Sequence, residues 1–99
     1  MNGITQNLWT KQITNETLVI DENYGLSAVS IVLNSGTGTF LGGGNLNNAV
    51  SSTAIDLVVG QPITLCSNSG APLDNLTITT TGVVAIRGIF FLQIIKHLI

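Results

Sequence analysis

The residues best suited to nucleophilic chemistry in this sequence are a single cysteine, Cys66, and a single histidine, His97. Thiol catalysis needs a base held next to the sulfur, so the two side chains would have to meet in the folded chain. Cys66 follows Ile63 and Leu65 in an alternating segment, where a lone cysteine is more typical of a small buried apolar residue. We therefore expect no catalysis by this pair. One cysteine also excludes an internal disulfide and a multi-cysteine zinc site.

The next candidates are the five carboxylates of the chain: Glu16, Asp21, Glu22, Asp56 and Asp74. Glycoside hydrolysis needs two carboxyl groups that face each other across a cleft. Asp21 and Glu22 are adjacent and would point to opposite faces of a strand, and Asp56 alternates with apolar neighbours, so it is expected to face solvent. Asp74 suits a turn. The segment 21–23 could offer oxygen ligands to calcium but lacks EF-hand spacing. The sequence therefore predicts no enzyme, no metal site and no cofactor.

The segments Gly36-Thr37-Gly38 and Gly42-Gly43-Gly44 form two short glycine-rich clusters. A glycine-rich loop can cradle a phosphate, but the known forms lead into a helix, and the Walker loop also needs a lysine. Neither feature follows these clusters. Both are therefore interpreted as turns or loops.

Charge is scarce in this chain, since charged residues make up 8% of it and the basic ones are Lys11, Arg87 and Lys96. Nucleic-acid binding and attachment to anionic lipid both require clustered Lys and Arg. Because this chain has only three scattered cations, we expect neither a nucleic-acid partner nor a membrane partner. Few charges also give weak self-repulsion, so either the protein functions inside an assembly or its uncharged Asn and Thr side chains solvate the surface adequately.

Apolar residues alternate with polar ones along most of the chain, and β-branched residues fill the alternating segments. Turn residues such as Asn34-Ser35-Gly36 and Gly60-Gln61-Pro62 separate them. The pattern predicts a single all-β domain, a β-sandwich or jelly-roll-like fold of about seven short antiparallel strands. The predicted strands lie near 17–21, 28–34, 39–41, 54–59, 63–66 and 76–79, and a last one has Val84, Ile86 and Phe90 on one face.

Residues 1–15 are less regular and are interpreted as an N-terminal arm or an edge strand, ahead of a sandwich domain at 16–99. Trp9 either pins this arm to the domain or to a neighbouring molecule, or packs at the edge of its own chain. The segment 1–10 has no basic stretch followed by an apolar run, so a signal peptide is not expected.

The C-terminal segment 89–99 is the most apolar part of the sequence. If extended, it would be apolar on both faces, as in a buried central strand or an apolar tail. As a helix, it would form a stripe of Phe91, Ile94, Ile95 and Leu98. Arg87, Lys96 and other polar residues interrupt the longer apolar stretch, so a membrane span is not expected. The segment is either core or a contact with other subunits, and the candidate assembly contacts are Trp9, Ile89, Phe90, Phe91, Leu92, Ile94 and Ile95.

The segment from Leu26 to Ile86 resembles small β-domain virion proteins of tailed bacteriophages. The resemblance is carried by Val29–Gly36, followed by a Gly/Asn loop, then by Ile55–Leu65, Leu73–Ile78 and Thr81–Ile86. Such proteins include capsid decoration proteins, auxiliary head proteins and head-fibre bases. The resemblance implies a non-enzymatic virion protein, placed on the capsid surface or tail and in the host cytoplasm during assembly. It also implies the major capsid protein as the principal partner and a homo-oligomer, with a trimer favoured because cyclic symmetry matches local threefold points.

Two other functions remain open. The chain could instead be a tail, collar or fibre-attachment component of a virion. It could also be a glycan-binding or adhesion module of sandwich type, although such modules usually expose aromatic platforms. Aromatic residues are few here, and two of them, Phe90 and Phe91, lie in the apolar C-terminal segment.

Overall fold

A computed structural model describes residues 8–42, 53–67 and 71–90 of the chain. They form two antiparallel sheets of four strands each, which confirms the predicted all-β sandwich. Sheet I has the strand order β1-β8-β3-β6 and sheet II the order β2-β7-β4-β5. The strands are β1 (Leu8–Thr14), β2 (Thr17–Ile20), β3 (Leu26–Ser35), β4 (Gly38–Leu41), β5 (Ile55–Asp56), β6 (Ile63–Cys66), β7 (Leu76–Thr80) and β8 (Val83–Phe90).

The strand pairing follows a simple rule: the first strand pairs with the last, the second with the second-last, and so on towards the middle of the chain. Thus β1 pairs with β8, β2 with β7, β3 with β6 and β4 with β5, all antiparallel. Two further ladders, β3 with β8 and β4 with β7, complete the sheets. This is the order of a long hairpin rolled into two sheets, so the sandwich is an eight-stranded jelly roll.

The core lies between the two sheets and is built by the period-two alternation of the strands. The predicted inward faces of β3 and β7 are buried, for example at Ile31 and Ile78, and on β8 Val84 and Ile86 are buried while Phe90 is partly buried. Leu73, in the loop before β7, is also fully buried, and its backbone N–H donates to the carbonyl of Leu26. The core residues are Ile13, Leu18, Ile20, Leu26, Val29, Ile31, Leu33, Phe40, Leu57, Leu65, Leu73, Leu76, Ile78, Val84 and Ile86.

The alternating segment at 54–59 is shorter as a strand than its pattern predicts. Only Ile55 and Asp56 are in β5, and Val58 and Val59 are exposed. The backbone N–H of Leu57 donates to Gly38 in sheet II, and that of Gly60 donates to Leu33 in sheet I. The chain therefore leaves one sheet for the other within these few residues, and alternation cannot continue across the passage.

The first described strand, β1, is an edge strand of sheet I and pairs with β8 from Leu8 to Thr14. It contributes Ile13 to the core, so it is an integral part of the sandwich. Residues 1–7 lie outside the described part of the chain. Residues 91–99 also lie outside it, so the choice between strand and helix for that segment stays a prediction.

The passages between the sheets are packed side by side at one end of the sandwich. The N–H of Asn15, between β1 and β2, donates to the carbonyl of Gly82, between β7 and β8, at 3.0 Å. On the other side of this turn lies the Ser35–Gly36 backbone, which leads from β3 towards β4. This backbone is so close to Gly82 that a Cβ on Gly82 would overlap the carbonyl oxygen of Ser35. The two turns can approach this closely because Gly82 has no side chain.

We expect Gly82→Ala to lower the free energy of unfolding by about 3 kcal/mol, because the added methyl group must displace backbone atoms. The matched control is Gly60→Ala, since a Cβ at Gly60 meets nothing within 4 Å. Gly60 has a φ of 85°, so its replacement should cost about 1 kcal/mol from backbone strain alone. Denaturant unfolding measures both values, and equal losses would contradict the close packing of the two turns.

Candidate interaction surface

Cys66 is exposed, on the outer face of sheet I near the edge formed by β6. The sequence interpretation of a buried apolar cysteine is therefore wrong. Cys66 lies opposite Ala28 of β3, and residues paired in this way point to the same side of a sheet. The side of the sheet that carries Cys66 faces away from the core because the inward positions belong to Leu65 and Val29. His97 lies outside the described residues.

Two acidic residues in the loops accept hydrogen bonds from backbone N–H groups. Asp21 precedes a short 3-10 turn, and its Oδ1 accepts a hydrogen bond from the N–H of Asn23 at 2.9 Å. Asp74 Oδ1 accepts from the N–H of Glu22 at 3.2 Å and so ties the loop before β7 to the loop after β2. Among the described residues, no group of three or more His, Cys, Asp or Glu side chains is placed to hold a metal ion.

The positive and negative side chains lie in different parts of the sandwich. Both cations in the described part of the chain, Lys11 and Arg87, are in strands of sheet I. All five carboxylates are elsewhere: in turns and loops, or in β5 of sheet II. Lys11 is two residues from the buried Ile13, so the two side chains lie on the same side of β1, the side that faces the core. Because β1 is an edge strand, Lys11 lies at the margin of the sheet. Arg87 is thus the one charged side chain on the outer face of sheet I among the described residues.

Arg87 lies within a row of hydroxyl side chains that crosses all four strands of sheet I. Thr10 is opposite Arg87, Arg87 is opposite Ser30, and Ser30 is opposite Thr64. A shallow depression of about 580 Å³ opens along this row and the next one. Its residues are Thr10, Lys11, Gln12, Ser30, Val32, Pro62, Ala85, Ile86 and Arg87. The small side chains of Ser30 and Ala85 leave room beside the guanidinium, so a side chain of another molecule could enter here.

An apolar row borders the hydroxyl row towards the end of β8. It consists of Leu8, Ile89, Ala28 and Cys66, which lie opposite one another in that order. Leu8 is 54% exposed and Ile89 is 47% exposed. The outer face of sheet I therefore combines exposed apolar side chains, hydroxyl groups and a single arginine. Depletion of charge together with an arginine is typical of the central part of a protein–protein interface.

Of the seven candidate assembly contacts, three are in the described part of the chain. Ile89 faces outward, whereas Trp9 and Phe90 are partly buried against the core. Trp9 packs edge-to-face on Tyr24, with ring centroids 5.6 Å apart and an interplanar angle of 86°. Its ring is thereby held by its own chain. Phe91, Leu92, Ile94 and Ile95 lie outside the described residues.

The outer face of sheet II has a related pattern but the opposite charge. Thr17, Thr79, Thr39 and Asp56 lie opposite one another across its four strands. The hydroxyl of Thr17 donates to that of Thr79 at 3.2 Å. The two outer faces thus differ in the sign of their charge, so a charged partner would distinguish between them.

The hydroxyl rows were not identified from the sequence. Their signal is present in it, since Ser30, Thr64 and Arg87 each occupy the polar position of an alternating strand. The register that brings these three positions into line depends on pairing between strands far apart in sequence, which alternation does not specify.

Among the described residues, no helix is long and apolar enough to cross a membrane. Comparison of the chain with protein-family models, with curated proteins and with solved structures found no match.

Because Cys66 is exposed, we expect its thiol to react with Ellman's reagent in the native protein, to one equivalent per chain. The unfolded protein in guanidinium should give the same stoichiometry, and Cys66→Ser should give none. A thiol that reacts only after unfolding would show that the outer face of sheet I is covered.

Proposed function

We propose that this chain is a non-enzymatic virion structural protein, a capsid decoration or auxiliary head protein of a tailed bacteriophage. The observation that carries the proposal is the outer face of sheet I. This face is an array of hydroxyl and apolar side chains with one charge and a shallow depression, on a jelly roll closed by tight turns. A surface of this kind suits contact with another protein better than it suits chemistry on a small molecule.

The jelly roll supports this proposal without deciding it, because one fold serves many functions. Eight-stranded jelly rolls occur in viral capsid proteins and also in lectins. A sugar platform would need an accessible aromatic ring. The ring of Trp9 instead packs against Tyr24 and the core, which favours the structural role over the adhesion module.

The proposed mechanism is adhesive. The chain would lie across neighbouring subunits of the capsid and hold them together against internal pressure. The four strands of sheet I contain 7, 8, 10 and 4 residues, and with a spacing of about 4.8 Å and a rise of about 3.3 Å per residue they give a face of about 450 Å². A typical stable interface buries about 800 Å² on each partner, so one copy would bind weakly. Self-association would raise the overall avidity, because the second and third contacts would then form within one complex.

We expect the purified chain to co-sediment with empty, expanded capsids of the phage that encodes it, and to saturate at a fixed ratio to the major capsid protein. Purified tails of the same phage are the control. Binding to tails and not to capsids would favour the tail or collar alternative. Binding to neither particle, together with binding to a glycan array, would contradict the virion role and favour the adhesion module.

We further propose that the chain is a homotrimer, the symmetry that matches the local threefold points of a capsid. Light scattering coupled to gel filtration should then give a mass three times that of the 10.4 kDa chain. A chain that stays monomeric at all concentrations tested would contradict this part of the proposal and would leave capsid binding to be decided separately.

A further inference from the structure

We infer that the outer face of sheet I is the docking surface of this protein, and that its partner is a protein surface which places a carboxylate side chain beside Arg87. This inference rests on the proposed function and specifies which side of the molecule contacts the capsid.

The first argument is charge complementarity. Arg87 is exposed on β8, and none of the five carboxylates of the chain is in a strand of the same sheet. A guanidinium group offers donors in a fixed planar arrangement that matches the two oxygens of a carboxylate. A single cation in an otherwise uncharged face suits one acidic side chain. A phosphate backbone would need several cations, so nucleic acid does not fit this surface.

The second argument is shape. The depression of about 580 Å³ is bordered by Arg87 and by the small side chains of Ser30 and Ala85. Those two residues are only partly exposed although they face outward. An incoming Asp or Glu side chain could therefore reach the guanidinium while the surrounding surfaces exclude water, and exclusion of water strengthens a charged hydrogen bond.

The third argument is the choice between the two faces. The outer face of sheet II carries Asp56 in its hydroxyl row, so an acidic partner would be repelled there. Sheet I also has the exposed apolar side chains of Leu8 and Ile89 beside its hydroxyl row, which would contribute buried apolar area. Val19 is likewise 45% exposed on the outer face of sheet II, so charge and not apolar area selects the outer face of sheet I.

The test compares capsid co-sedimentation of variants that remain folded by circular dichroism and thermal unfolding. Arg87→Glu should weaken binding by at least about tenfold, since it opposes a carboxylate with a carboxylate, and Arg87→Gln should give a smaller loss. Binding of the native chain should also weaken as salt rises, and that of Arg87→Gln should depend on salt less. The matched control for charge is Thr17→Glu on the outer face of sheet II, which changes the net charge of the chain by the same one unit as Arg87→Gln does.

A second pair of variants tests the shape of the face without changing charge. Ala85→Leu fills the depression and should weaken binding by about tenfold or more, through steric exclusion of the partner. Thr77→Leu places the same side chain on the outer face of sheet II and should leave binding unchanged.

The outcomes separate this inference from the proposed function. If the native chain binds capsids and neither Arg87→Glu nor Ala85→Leu weakens binding, the docking surface is elsewhere and the inference is wrong, while the virion role stands. If Thr17→Glu weakens binding as much as Arg87→Gln does, binding depends on the net charge of the chain, and the specific carboxylate contact is wrong. If the native chain does not bind capsids, both proposals are contradicted.

Discussion

The fold depends on the close approach of two turns where the chain passes between the sheets. The N–H of Thr81 donates to the carbonyl of Thr37 at 2.9 Å, and on the other side the N–H of Asn15 donates to Gly82 at 3.0 Å. The β1–β2, β7–β8 and β3–β4 connections are thereby hydrogen-bonded side by side. The strands that they join are therefore neighbours in both sheets, as β1-β8-β3 in sheet I and β2-β7-β4 in sheet II. The buried hydroxyl of Thr80 supports this corner, since it donates to Thr37 and accepts from the N–H of Gly82.

The same corner sets the positions on the outer faces. Starting from the corner, β8 runs outward between β1 and β3, so a change of one residue in its register would exchange its inner and outer side chains. Val84 and Ile86 would then leave the core, which the burial of both side chains prevents. The packing of the core and the geometry of the turns together place Arg87 opposite Thr10 and Ser30.

The sequence predicted the fold class and most inward faces because burial between two layers imposes a period of two on the strands. Alternation in the segment 54–59 predicted the inward position of Leu57, which is buried just after β5 and donates its backbone N–H to Gly38. The sequence did not predict the burial of Leu73, which lies outside the strands and is held by a backbone hydrogen bond to Leu26. It placed Cys66 in the interior because a lone cysteine is usually buried. The outer side of β6 is left uncovered by the described layers, and that arrangement is a property of the whole sandwich, which a local pattern does not encode.

The location of Arg87 on an interior strand has a consequence for recognition. Binding residues on loops must often be ordered when a partner arrives, and that ordering reduces affinity. The backbone of Arg87 is held by ladders on both sides, to β1 and to β3, so only its side chain has freedom to lose. The neighbouring side chains are short, and those of Ser30 and Ala85 have little or no rotamer entropy to lose. A face of limited area can therefore bind with less entropic loss than a loop of the same size, and many weak contacts of this kind would suit a protein that acts in multiple copies.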